Sequence, residues 1–280
     1  MLPGTGRAAV PGDTTVPLGF VVAPGRPLLQ HLPLERSFHL TTAAGTTVDD
    51  RIAVLNLSAV SPLTLTLRAL DGMTPPVGAG ITFSENLPQR QIGRWAHLDT
   101  TRVMVLPRQY VVVPLRLAVP ATARPGEYEG AISATSQQAV TVAAGGRRYL
   151  IHGTRRCLVF LRVSGAATAG LAIVGARLAS GASPAPLLAV SLRNTGSVTA
   201  QPLSTRITVG HAHRTATVQA AIGTVSGGAS TVVYLPLQGR MAPGAYPVSI
   251  VLTYLAHTSA TGPVQRLRAA WHGAVVVPRP

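Results

Sequence analysis

The chain has 280 residues, 46% of them hydrophobic and only 4% aromatic, with a formal net charge of +15. That length favours two domains, and that apolar content excludes disorder throughout and requires cores built from Val, Leu, Ile and Ala. All 24 basic residues are Arg, and all nine acids lie before residue 130. Residues 130–280 therefore carry 13 Arg and no Asp or Glu, a one-sided field that attracts polyanions.

The opening MLPGTGRAAVPGD lacks the basic and apolar regions of a secretory leader, so an exported native protein is expected to have had its leader removed. Residues 1–30 read as an extended segment. Short alternating runs bounded by Pro, Gly, Asp or Asn then predict strands at Ser37–Thr42, Arg51–Asn56 and Leu63–Leu70. Segment 71–100 contains Gly72, Pro75, Pro76, Gly78, Gly80 and Pro88 and reads as an irregular excursion, of the length that is often functional. Strands resume at Arg102–Leu106, Tyr110–Ala118, Gly126–Thr135, Gln138–Ala143 and Tyr149–Val163, closing a first β-sandwich over 31–164.

Small residues from Val163 to Gly170 mark a linker. A second run follows: Leu171–Leu178, Leu187–Arg193, Gln201–Val209, Thr215–Ile222, Ser230–Pro236, Gly244–Thr253 and Arg266–Val277. Its spacing fits a second immunoglobulin-like sandwich over 171–280. The fold class expected is all-β, with two tandem immunoglobulin-like sandwiches. Residues 215–239 and 241–265 are uncharged, but Gly, Pro, Ser and Thr break them into strands and turns, so no membrane span is expected.

The halves repeat each other. Each opens with a strand ending in Asn (Asn56, Asn194), and each later carries Pro-Gly-x-Tyr, at 125–128 and 243–246. Asn tolerates left-handed backbone and bonds its neighbouring main chain, which suits a corner between strands. The spacing from Asn to Gly is longer in the first copy, and the excursion accounts for the difference.

Catalysis lacks a constellation. The second half has no acid for a triad, and no nucleophile-elbow pattern surrounds any serine. Asp49/Asp50 and Glu127/Glu129 are the paired carboxylates available for glycan hydrolysis, and both pairs are expected at turns. His211 and His213 share a strand face but have no recognisable third ligand. The lone Cys157 allows no internal disulfide and reads as a small core hydrophobe. No cofactor or metal is expected.

The candidate ligand-binding residues are Arg94, Trp95, Arg147, Arg148, Arg155 and Arg156. Arg147-Arg148 and Arg155-Arg156 bracket an expected turn over Tyr149–Thr154, from which guanidinium forks could converge on one phosphate or carboxylate. Alternating strand faces would instead leave half of them as solvated edge guards. Trp95 is either a stacking platform for a sugar or a lid folded onto the core.

Ala44–Ser58 with Leu63-Thr64-Leu65, Gly93-Arg94-Trp95, Val103–Leu106, Val113-Pro114-Leu115, Val119-Pro120, Pro125–Ile132 and Gly153–Gly165 resemble the peptidoglycan-binding domain of the WxL-interacting protein family. The resemblance covers roughly residues 36–165. It implies an exported Gram-positive surface protein that attaches to peptidoglycan or anionic wall polymer and scaffolds other surface proteins. Such proteins have a leader and a C-terminal membrane helix, neither of which is expected from these residues, so membrane association is expected only through a native anchor. The alternative is a structural subunit or adhesin that pairs exposed sandwich edges with partners. Nucleic-acid binding has the charge in its favour but no interleaved aromatics and no motif.

Overall fold

The computed structural model describes residues 19–25, 36–144, 147–179, 186–211, 214–237, 241–257 and 263–277. They form four antiparallel-rich sheets that pack in pairs as two sandwiches. Two immunoglobulin-like β-sandwich domains in tandem are therefore the fold, as the strand periodicity predicts.

In the first sandwich, one sheet joins β1 (Phe20–Pro24), β3 (Thr47–Asn56), β8 (Tyr110–Ala118) and β6 (Ala96–Leu98) in that order. The facing sheet runs β2 (Ser37–Thr42), β10 (Arg147–Val163), β9 (Gly126–Ala144), β4 (Leu63–Met73) and β5 (Thr82–Phe83), with β7 (Arg102–Val105) also on β4. Alternation does the sorting: on β8, Val113, Leu115 and Leu117 point inward between exposed neighbours. Across the gap they meet Leu65, Leu67, Ile132, Val159 and Leu161. Buried Cys157 joins this core as a small hydrophobe, and burial pushes its thiol up to about 12.

The first sandwich begins earlier than its pattern suggests. β1 pairs antiparallel with β3, from Phe20 opposite Asn56 to Pro24 opposite Ile52, and Phe20, Val22 and Ala23 are buried. The run expected to be an extended tail over 1–30 thus contributes a core strand. FVVAP is all apolar, so alternation had nothing to register. The chain then crosses to the opposite sheet, where β2 lies parallel to β10.

In the second sandwich, β11 (Leu171–Ala179), β12 (Leu187–Asn194) and β15 (Ser230–Pro236) face β14 (Arg214–Ala220), β13 (Gln201–His211), β16 (Gly244–His257) and β17 (Val264–Val277). Tyr246, Val248, Ile250, Leu252, Tyr254 and Ala256 alternate into this core from β16.

The two asparagines occupy matching corners. Asn56 is 1% exposed and Asn194 fully buried. Asn56 Nδ2 donates to the carbonyls of Ser61 (2.9 Å) and Val105 (3.0 Å), while its Oδ1 accepts from Ser58 N–H at 2.9 Å. Asn194 repeats the set with Val198 (2.8 Å), Val225 (2.9 Å) and Gly196 N–H (2.9 Å). Neither residue has a positive φ. The expected left-handed backbone is thus corrected: the amide holds the corner by satisfying three main-chain groups.

The Pro-Gly-x-Tyr repeats are tyrosine corners. Tyr128 Oη donates to Arg124 O and Tyr246 Oη to Ala242 O, each at 2.8 Å. The interval from Asn to its valine carbonyl is 49 residues in the first copy and 31 in the second. The extra length therefore falls within the excursion, as the sequence repeat predicts.

Two further expectations change. Gly126–Thr135 and Gln138–Ala143 form one strand, β9, with an irregularity at 136–138, where Ser136 Oγ bonds Gln138 locally and the ladder to β10 shifts register. The turn expected over Tyr149–Thr154 is strand β10, with only a register shift between His152 and Thr154.

Candidate functional site

Three features stand out: the junction between the sandwiches, a two-stranded arm, and the edge of β10 that joins them. The junction is built from the excursion and from the start of β9. Thr74 Oγ1 accepts from Ser226 N–H at 2.8 Å, Gly78 N–H donates to Val232 O at 2.8 Å, and Val232 N–H donates to Pro76 O at 2.9 Å. Residues 76–78 thereby add a short parallel rung to the β15 edge of the second sandwich. Gly80 N–H reaches Thr224 O at 2.8 Å. The excursion thus straps the domains together.

Glu127 and Glu129, two apart on β9, face the same side and meet the second sandwich at Thr199. Glu127 accepts from Thr199 N–H at 2.9 Å and from Arg162 Nη2 at 2.7 Å, and His257 Nδ1 lies 2.7 Å from the same carboxylate. Glu129 is 5% exposed and accepts from the Thr199 hydroxyl. Burial pushes its carboxyl up to about 7, against smaller lowering by the Thr199 and Ser226 hydroxyls. These acids therefore sit on a strand inside the junction, not at a turn. Asp49 and Asp50 also lie on a strand, β3, with Arg116 3.1 Å from Asp49.

The backbones approach closely here. Gly126 has φ +154°, and a Cβ at that position would stand 2.4 Å from Ser197 O. Beside this contact opens a cleft of about 740 Å³ with Glu127, Arg162 and His257 at its polar end. Its apolar wall includes Phe83 and Phe160; His39 stacks on Phe160 with centroids 5.1 Å apart, and the Arg156 guanidinium lies 5.8 Å from the Phe83 ring centre.

The arm is the far part of the β9–β10 hairpin. β4 pairs with β9 only as far as Ser136, and β2 pairs with β10 only from Leu158 to Val163. Beyond those limits, among the described residues, β9 and β10 have only each other as ladder partners from Ala139/His152 to Ala144/Arg147. Leu150 is 74% exposed and Ile151 46%, residues of opposite faces that are both uncovered. At the base of the arm, His152 Nδ1 lies 2.8 Å from Ser136 O, and the Thr135 and Thr154 hydroxyls are 3.0 Å apart.

The sequence-predicted site residues scatter across these features. Arg147 and Arg148 lie at the arm's tip; Arg155 and Arg156 are exposed at its base. At about 3.3 Å per residue the two pairs stand roughly 26 Å apart along one strand, so they do not converge on one anion. Trp95 is only 9% exposed and packs edge-on against Tyr128 at 4.9 Å, which makes it the core lid. Its neighbour Arg94 is exposed. His211 is on β13, and His213 lies outside the described residues; no metal-holding cluster of His, Cys, Asp or Glu occurs among the described residues. No described helix is long and apolar enough to cross a membrane. Sequence reasoning missed the junction contacts of Thr74, Thr199 and Ser226. Isolated hydroxyls carry no periodic signal, and only the crowding of the last acids before residue 130 pointed there.

No protein-family model and no curated protein matches the chain. Solved structures of low identity resemble it. The class 5 fimbrial chaperone CfaA aligns at a TM-score of 0.42 with 10% identity, covering 84% of this chain and 96% of its own. A chaperone–tip adhesion subunit complex, CsuC–CsuE, from the Csu pili of Acinetobacter baumannii gives 0.41 with 10% identity, covering 82% and 94%. The CupB2 chaperone of Pseudomonas aeruginosa gives 0.37 with 12% identity, covering 83% and 97%. The sheets above carry the fold assignment without them.

Proposed function

We propose that this chain is a non-enzymatic protein-binding module that takes up an extended segment of a partner by strand addition along the uncovered edge of β10. The observation that carries this reading is the arm. A two-stranded ribbon is marginal in water on its own, and its uncovered ladder groups offer a template for another strand. The edge from Arg147 to Cys157 has no strand on its β2 side among the described residues, and it leads directly to the cleft lined by Leu158, Phe160 and Arg162. Leu150 and Ile151 supply apolar surface on this edge, and Arg155 and Arg156 supply positive charge. The fitting partner is therefore an extended segment in which apolar residues alternate with acidic ones.

Selection from a displayed library of random linear peptides tests this. Peptides of that pattern should be enriched, and Leu150→Asp, at an exposed position, should weaken them by at least about tenfold. Failure to enrich any class, or equal binding by the variant, would remove the proposal. Attachment to peptidoglycan at a bacterial cell surface, which the resemblance implies, rests on the sequence motifs alone. Sedimentation with purified peptidoglycan at low salt is its test.

A further inference from the structure

A second groove, of about 700 Å³, lies on the first sandwich and takes no part in the junction or the arm. Two separate segments bring cations to it. Arg90 and Arg94 come from the end of the excursion and the short helix α1 (Ile92–Trp95), and Arg124 comes from the loop before β9. His97 of β6 stands on the same rim, and no carboxylate lines the groove. All three arginines are exposed, and none has an ion-pair partner among the described residues. The carboxylate that bonds this segment is structural. Buried Asp71 accepts from the main-chain N–H groups of Arg90 (2.5 Å), Gln91 (3.1 Å) and Gly93 (2.7 Å), which spends its oxygens on backbone and leaves the guanidiniums uncompensated.

The mounting is rigid even though the side chains are free. Asp71 clamps the segment that carries Arg90 and Arg94, and Ile92, fully buried, pins α1 to the core. On the opposite side, the tyrosine corner ties Arg124 O to Tyr128 Oη. The floor between them is the edge of the Trp95–Tyr128 pair. Guanidinium forks carried on a fixed backbone over an aromatic floor, without a competing acid, suit an anion larger than a single ion.

The geometry points to a binding site for a ligand carrying two or more phosphate groups, held by Arg90, Arg94 and Arg124. Inorganic tripolyphosphate and a poly(glycerol phosphate) chain are the probes, titrated by calorimetry at low salt; they distinguish a small ligand from a polymer. Saturable binding is expected, weakened about tenfold by Arg94→Gln or Arg124→Gln and far more by the triple Arg90→Gln/Arg94→Gln/Arg124→Gln, with unchanged thermal unfolding. Arg266→Gln/Arg268→Gln, at exposed positions on β17 in the other sandwich, should bind as the parent does. Equal losses from both sets would mean only general attraction to a chain of charge +15 and would overturn the site. So would absence of saturation with both probes, or citrate binding as tightly as tripolyphosphate.

Discussion

The two sandwiches share what holds an immunoglobulin-like domain together and differ in what reaches beyond it. Both have the buried asparagine with its three main-chain bonds, and both have the tyrosine corner. Among the described residues, only the first has the strap over 74–80 and a closing hairpin, β9–β10, with strands of 19 and 17 residues; the matching strands β16 and β17 have 14 each and pair along their whole length. The shared parts are spent on stability. The unshared parts bond the second sandwich and leave the outer edges of the arm open. Function is thus to be sought where the copies disagree.

Removing the asparagines should have the largest effect. Asn56→Ala and Asn194→Ala should each destabilise their own sandwich by about 3 kcal/mol or more, because Asn194→Ala strands two buried carbonyls and a buried N–H, and Asn56→Ala strands one buried carbonyl with a half-buried carbonyl and N–H. The chain has two tryptophans, Trp95 in the first sandwich and Trp271 in the second, so single-tryptophan variants report each domain separately in denaturant. Similar losses in the two domains are expected. A tolerated substitution at either corner would mean that the copies only look alike.

Next in size is the junction, which exists because the copies differ. The Glu129 carboxyl ionises near 4.5 when unfolded and at about 7 when folded. Below pH 4.5 it is protonated in both states and carries no penalty. As pH rises to about 7 the unfolded chain releases the proton first, so stability falls, by on the order of 3 kcal/mol, and levels off above that. Glu129→Gln keeps the neutral form at every pH. Its unfolding free energy should therefore exceed that of the parent at pH 8 and converge with it at pH 4.5, as read by denaturant titration. A parent whose stability stays level with that of the variant between pH 5 and 7.5 would place Glu129 in a solvated setting.

Much of this was legible in advance, for a physical reason. Strands such as Tyr110–Ala118 and Ser230–Pro236 have one face buried and one wet, so period-2 alternation marks them to the residue. β1 escaped because both its faces are apolar. The strap escaped because its contacts are made by main-chain groups and single hydroxyls, which any Pro- and Gly-rich loop possesses. Trp95 was ambiguous for a different reason: a ring reads the same whether it faces a ligand or the core, and only the position of Tyr128 decides. The arginines of the basic groove are far apart in sequence, at 90, 94 and 124, and the tyrosine corner and the Asp71 clamp bring them together.

The smallest effect is expected at the tyrosine corners. Tyr128→Phe and Tyr246→Phe each delete one hydroxyl that bonds a carbonyl four residues back, at the same 2.8 Å, and leave the ring in place. Each should cost about 1 kcal/mol, the net worth of one such bond. The surroundings differ, however. Tyr246 is 5% exposed and sits within its own core, whereas Tyr128 also supports Trp95 at the floor of the basic groove. If the corner is purely structural, the two losses match, and tripolyphosphate affinity is unchanged by either. If the corner in the first sandwich also sets the place of Arg124, Tyr128→Phe should weaken tripolyphosphate several-fold, while Tyr246→Phe leaves it alone. The second outcome is the one expected, because the bond that closes this corner ends on the carbonyl of the very residue whose side chain rims the groove.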